Sequence, residues 1–318
     1  MRRLMCLALT LCLGATASKA LATDAALSLL PIEAELQALL GLGDELLGGA
    51  SSLLAGNPGS LLTQTVDNTF ALVLDTSLEQ LNLVFDEVGD IPNLFGLSFT
   101  VGEFETNGVK ISYVTLPLTY TFRSQRILGR QWILSMPLTQ GEVNDAKTYS
   151  IQPGLALRLP VSANWAITPG MSVGYVKSSD LDQEAEQAGV SVSSAYRIPL
   201  GSTPNSIYIG NLVGYYKTLK VTLAGKEFDP NMANTVFRNG LLYSMPMAFA
   251  HELLSVELSL VNTLFKGTDT YTRSQNELAV SVGSTRRHMA QLSFLRVGLA
   301  VIQAEDIRGF RLNFGYYF

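Results

Sequence analysis

Histidine titrates near neutral pH and serves as base, acid and metal ligand, so it is the first residue type to place. This chain has two, His251 and His288. A His–Ser hydrolase built on a strand needs a serine on the same face, two positions away, and an acid or amide to orient the ring. His251 is followed by Glu252 and Leu253, and His288 by Met289 and Ala290, so neither has that serine. Both fall in predicted turns, His288 at the end of a basic run with Arg286 and Arg287. The two cysteines, Cys6 and Cys12, lie in the N-terminal apolar segment, leaving the rest of the chain without thiolate chemistry or disulfides. Two histidines without cysteine make a poor transition-metal set. Asp180, Asp182, Glu184 and Glu186 lack the glycine and spacing of a dedicated Ca²⁺ loop and read as a solvated surface loop. Gly41 and Gly43 begin a dinucleotide-like pattern, but Leu46 stands where its third glycine belongs and no strand precedes it. No catalytic residue, metal or cofactor is therefore assigned.

Composition says more than motifs do. Of 318 residues, 47% are hydrophobic and only 15% charged, against roughly 25% charged in ordinary soluble domains. Past the N-terminus no apolar run reaches the roughly 18 residues of a membrane helix. The chain is too apolar for disorder, and its net charge of −5 offers no footprint for nucleic acid. A membrane protein that crosses with strands, or an unusually apolar soluble β protein, fits what remains. Residues 1–22 read as an export signal: Arg2 and Arg3, an apolar stretch from Leu4 to Ala17, and a small-x-small site at Ala20, Leu21 and Ala22. Loss of Arg2, Arg3 and Lys19 with that leader leaves 19 of the 22 basic residues against 27 acidic ones, about −8.

The elements that could position chemistry change character near Asp90. Residues 23–60 are Leu-rich and end in a Gly56–Asn57–Pro58–Gly59 turn signal. Residues 61–90 carry Leu62, Val66, Phe70, Val73, Leu74, Leu78, Leu81 and Phe85 at steps of three and four, opposite Asp67, Asp75, Glu79 and Asp86. That pattern predicts an amphipathic helix over 61–88, near 40 Å long at about 1.5 Å per residue. From residue 91 the period becomes two. Leu254, Val256, Leu258 and Leu260 alternate with Ser255, Glu257 and Ser259; Leu295, Val297, Leu299 and Val301 alternate with Arg296, Gly298 and Ala300. Twelve such segments fit between 94 and 318, most at least as long as the 9–11 residues of a tilted membrane strand. An even count puts both barrel ends on one side, with the polar connections 177–188 and 217–234 on the other.

The last segment bears on fold class. Phe310, Leu312, Phe314, Tyr316 and Phe318 alternate with Arg311, Asn313 and Gly315. A terminal aromatic after such alternation resembles the C-terminal assembly signal of bacterial outer-membrane barrels. The whole layout of leader, helix and twelve strands ending in Phe is similar to the translocator domain of type V autotransporters. Residues 23–60 are too few for a β-helical passenger, so the chain resembles the solitary, passenger-less members of that group. The resemblance covers residues 61–318. It implies a transmembrane β-barrel over 91–318 with a helix in its lumen, an outer-membrane location in a Gram-negative bacterium, and contact with outer-membrane lipid, lipopolysaccharide and the barrel-assembly machinery. Lys110, Arg158, Glu257, Arg296 and Arg311 fall on the polar faces of their segments and are expected in the lumen, because a basic residue facing lipid near the midplane costs about 2–4 kcal/mol. The expected function is a non-enzymatic barrel with a narrow or helix-plugged pore. A channel for small or hydrophobic solutes and a membrane-embedded hydrolase are the alternatives.

Overall fold

The computed structural model describes residues 93–317, apart from 107–108, 124–129, 144–145, 179, 181, 224, 230–231, 250–251, 268–271, 285–293 and 306. The expected leader, Leu-rich segment and helix, with Asp67, Asp75, Glu79 and Asp86, lie outside the described residues, as do His251, His288 and Phe318.

Period-two sequence becomes strand throughout. The elements are β1 (Leu94–Thr106), β2 (Val109–Arg123), β3 (Gln131–Val143), β4 (Ala146–Ile151), β5 (Gly154–Ser162), β6 (Trp165–Ser178), β7 (Gln183–Pro199), β8 (Ser206–Leu223), β9 (Lys226–Phe228), β10 (Ala233–Phe249), β11 (Glu252–Gly267), β12 (Ser274–Ser284), β13 (Phe294–Ala304) and β14 (Ile307–Tyr317). β4 and β5 form one barrel strand, since both pair with β3 and both pair with β6. Pro153 causes the break: it has no N–H for the ladder, while Gln152 still donates its N–H to the Pro137 carbonyl at 3.1 Å. β9 is a short return at the end of β8. Twelve antiparallel strands therefore make the sheet, and β14 pairs with β1 from Gly96–Tyr317 to Thr106–Ile307, closing it. The chain is a closed twelve-stranded antiparallel β-barrel.

Alternation decides between a soluble sandwich and a membrane barrel by where the apolar face points. Here it points out. Leu278 is 63% exposed, Met171 62% and Val190 57%, and the same outward face carries Leu134, Leu258, Leu260, Val297, Leu299 and Val301. Their sequence neighbours Glu277, Glu257, Arg296 and Ala300 are buried inside. Water would meet this band as an apolar surface far larger than the few hundred Å² that soluble monomers tolerate. In lipid the same band is the favourable surface, and closure satisfies every strand edge. Aromatic side chains flank it, with Phe122, Trp132 and Tyr196 exposed toward the rim that holds both ends of the barrel and Tyr149 and Phe310 toward the far rim.

Two connections differ from the sequence expectation. Residues 177–188 and 217–234 read as long polar loops, yet β6 runs to Ser178 and β7 starts at Gln183, and β8 runs to Leu223. The hairpins simply continue past the apolar band, where their outward residues meet water and can be charged. Lys177 pairs with Glu184 and Lys220 with Glu227, both at 2.5 Å. The Lys177 ammonium and the Tyr175 hydroxyl, by hydrogen bonding, hold the Glu184 carboxyl below the ordinary carboxylate range. Gly225, at φ +75°, supplies the left-handed residue of the tight β8–β9 turn.

Inward aromatics pack on glycines of the same or a neighbouring strand. The Phe104 ring lies where a Cβ on Gly309 would come within 2.2 Å of it, and Tyr216 covers Gly189 and Gly214 in the same way. Phe104 also stacks on Tyr113, with centroids 5.6 Å apart. With Ile111, Ile302 and Ile307 these rings make an apolar cluster inside the far end of the barrel.

Candidate functional site

The lumen wall is where this fold places its buried polar groups. From β10 to β14 it carries two charged networks. In the first, Glu277 on β12 receives Arg238 from one side and Arg311 from the other. Arg238 Nη2 lies 3.1 Å from Glu277 Oε2 and its Nη1 donates to Thr263 Oγ1 at 3.0 Å; Arg311 Nη2 meets Glu277 Oε1. Each guanidinium reaches across one intervening strand. The crossing residues are small: Thr263 on β11, which pairs with Arg238, and Ala300 on β13, which pairs with Arg311. In the second network, Arg296 on β13 reaches across β12 to Glu257 on β11, with Nη1 2.9 Å from Oε2. Arg296 also donates to Ser255 Oγ at 2.7 Å and Ser281 Oγ at 3.0 Å. The Ser244 and Ser281 hydroxyls approach Glu257 at 3.5 Å. All five charged side chains are at most 10% exposed. Charges so buried need partners in good geometry, and each cation here has a carboxylate and each network is supplemented by hydroxyls.

The wall from β2 to β8 is different. Gly154, Ala156, Gly170, Ser191, Ser193 and Ala195 line much of it, so less side chain fills the lumen on that side. Among the described residues its inward charges are all arginines. Arg158 Nη1 donates to Gln131 Oε1 at 3.3 Å, Arg197 Nε donates to Ser206 Oγ at 3.1 Å, and Arg123 ends β2 on the inward parity of Thr119 and Thr121. Among the described residues, six arginines (123, 158, 197, 238, 296 and 311) face inward against two glutamates (257 and 277), an excess of four positive charges.

Of the residues expected in the lumen, Arg158, Glu257, Arg296 and Arg311 stand there, and the last three belong to the two networks. Lys110 does not. Ile111 and Tyr113 take the inward positions of β2, and Lys110 is exposed on the outer face opposite Glu105. It sits one residue inside the far end of β2, past the apolar band, so an outward cation meets no hydrocarbon. Arg238, Arg197 and Glu277 were not singled out by sequence pattern. Glu277 was legible, since Leu278, Val280 and Val282 fix the outward parity of β12. Arg238 was harder, because the inward face of β10 also carries the apolar Val236 and Leu242. Phe310, Leu312 and Phe314 face outward at 42%, 46% and 43% exposure, and Tyr316 pairs with Leu97 and Leu295. Among the described residues no group of three or more His, Cys, Asp and Glu could hold a metal ion.

No family model matches the chain, and no curated protein matches it either. Solved structures do. The β domain of the Bordetella autotransporter BrkA superposes with a TM-score of 0.56 at 12% identity, covering 71% of this chain and 98% of that one. The translocator domain of the autotransporter NalP from Neisseria meningitidis gives 0.50 at 12% identity, covering 81% of this chain and 99% of that one. The chain has the fold of an autotransporter translocator domain. At such identity the likeness is one of fold alone.

Proposed function

We propose that the chain is an outer-membrane β-barrel of a Gram-negative bacterium, a passenger-less relative of autotransporter translocators without enzymatic activity, whose pore is filled by residues 61–90. In this reading residues 1–22 direct export and the assembly machinery engages the last strand. The apolar band sits in outer-membrane lipid, with lipopolysaccharide around the far rim. The carrying observation is the inward excess of six arginines over two glutamates among the described residues; in this reading those arginines meet the acids of the filling segment, Asp67, Asp75, Glu79 and Asp86. An arginine-lined lumen of small residues on one side suits a helix with an acidic stripe, because such pairs are shielded from bulk water and stronger than surface ones. A helix of about 10–12 Å diameter would leave little open cross-section in a barrel between the eight-stranded filled type and the 16–18-stranded porins.

The same arginines favour one second reading, a narrow channel for small anionic solutes. Planar-bilayer recording separates the two. The intact mature chain is expected to show little conductance, and deletion of residues 61–88 should raise it many-fold with selectivity for anions. High conductance of the intact chain, unchanged by the deletion, would favour the channel and exclude the plug.

A further inference from the structure

The terminus-side end of the β2–β5 wall holds a group of donors that neither charged network uses. Arg123 on β2 pairs with Gln131 on β3, and Gln131 pairs with Arg158 on β5. All three stand at one level, on three adjacent strands, with inward parity. At about 4.8 Å per strand, the two arginine Cα atoms are about 10 Å apart with the glutamine between them. Gln131 is 1% exposed and Arg158 3%. Gln131 spends its oxygen on Arg158, which leaves its amide nitrogen as the unused donor. That nitrogen and Arg123 Nε are buried with no hydrogen-bond partner among the described residues. Among the described residues, β2 to β7 place no carboxylate inward at all. A buried donor without an acceptor gives up its hydration for nothing in return, and an oxyanion beside Gln131 and Arg123 would supply the missing acceptor.

We propose that Arg123, Gln131 and Arg158 form an oxyanion-binding cradle on the inner wall, accepting a carboxylate or phosphate group. Guanidinium forks and an amide N–H match the two or three acceptor oxygens of such a group. Two sources could supply it. One is a free anion entering the lumen. The other is the chain itself, which enters β1 beside the cradle: the Arg123 backbone N–H donates to Asn93 Oδ1 at 3.1 Å, and Asp86, Glu87 and Asp90 precede Asn93 by three to seven residues. The cradle stands on wall geometry and holds whether or not residues 61–90 fill the pore.

Arginine Nε–H resonances of the ¹⁵N-labelled mature protein in micelles, titrated with inorganic phosphate at constant ionic strength, test this. If a free anion is the ligand, the wild-type Arg123 and Arg158 signals shift saturably. If the chain's own carboxylate is the ligand, the wild type does not respond and the D86N/E87Q/D90N variant does. In the responsive background, Arg158→Met or Gln131→Leu should weaken binding at least about tenfold, with heat-shifted gel mobility reporting that each variant is folded. Absence of a saturable response in both backgrounds overturns the cradle. So does a response that survives both wall substitutions unchanged.

Discussion

Glu277→Ala is expected to destabilise the barrel by about 3–5 kcal/mol, because it leaves two buried guanidinium groups, Arg238 and Arg311, without their shared carboxylate. Unfolding by guanidinium in micelles should show this as a lower midpoint with an unchanged slope. Exposure, rather than contact length, sets the size of the effect. Lys220 and Glu227 are only 2.5 Å apart, yet their side chains are 40% and 61% exposed. Glu227→Ala should therefore cost no more than about 1 kcal/mol. A triple variant with Arg238→Met, Glu277→Leu and Arg311→Met removes the desolvated charges together and should recover most of the loss. Equal effects of Glu277→Ala and Glu227→Ala would show that the lumen network is solvated and contributes little.

Deletion of Phe318 is expected to reduce the amount of assembled barrel in the outer membrane several-fold. The last strand is the closing strand: β14 pairs on one edge with β13 and on the other with β1, so the ring is complete only when it docks. An assembly signal read from Phe310, Leu312, Phe314, Tyr316 and Phe318 would act on this strand before closure. Leu299→Ala, on the lipid-facing side of β13, removes one apolar side chain of similar exposure to its neighbours and serves as the comparison. Membrane levels measured after fractionation should fall for the deletion and stay near wild type for the substitution. Equal levels would assign the aromatic terminus to ordinary lipid contact.

The barrel was legible because its two faces differ so sharply in chemistry. Leu254 to Leu260 and Leu295 to Val301 specify an outward face without help from tertiary context, and Phe310 to Phe314 do the same at the end. Strand count and termini followed from the turns between such runs. Pattern failed where the environment stops being lipid. Glu184 and Glu186 alternate with Ala185 and Gln187 as regularly as any leucine pair, but their outward face meets water, so polarity suggested a loop where there is strand. Lys110 misled for the same reason at the end of β2. Lumen partners were the least legible feature. Arg296 and Arg311 could be assigned inward from parity alone, but their carboxylates are two strands away, at a register set by ladder pairing that no local pattern encodes. The cradle of Arg123, Gln131 and Arg158 depends on the same cross-strand register.

The account rests on a closed sheet with its apolar face in lipid, and electrophoretic mobility of the mature chain folded into phospholipid vesicles tests that most directly. A closed barrel has no unpaired edge for detergent to open, so it resists SDS until heated. Unboiled and boiled samples are expected to run as two distinct bands, with the unboiled form converting to the boiled one over a narrow temperature range. A single band of the same mobility before and after heating, from protein that has bound to the vesicles, would contradict the transmembrane barrel.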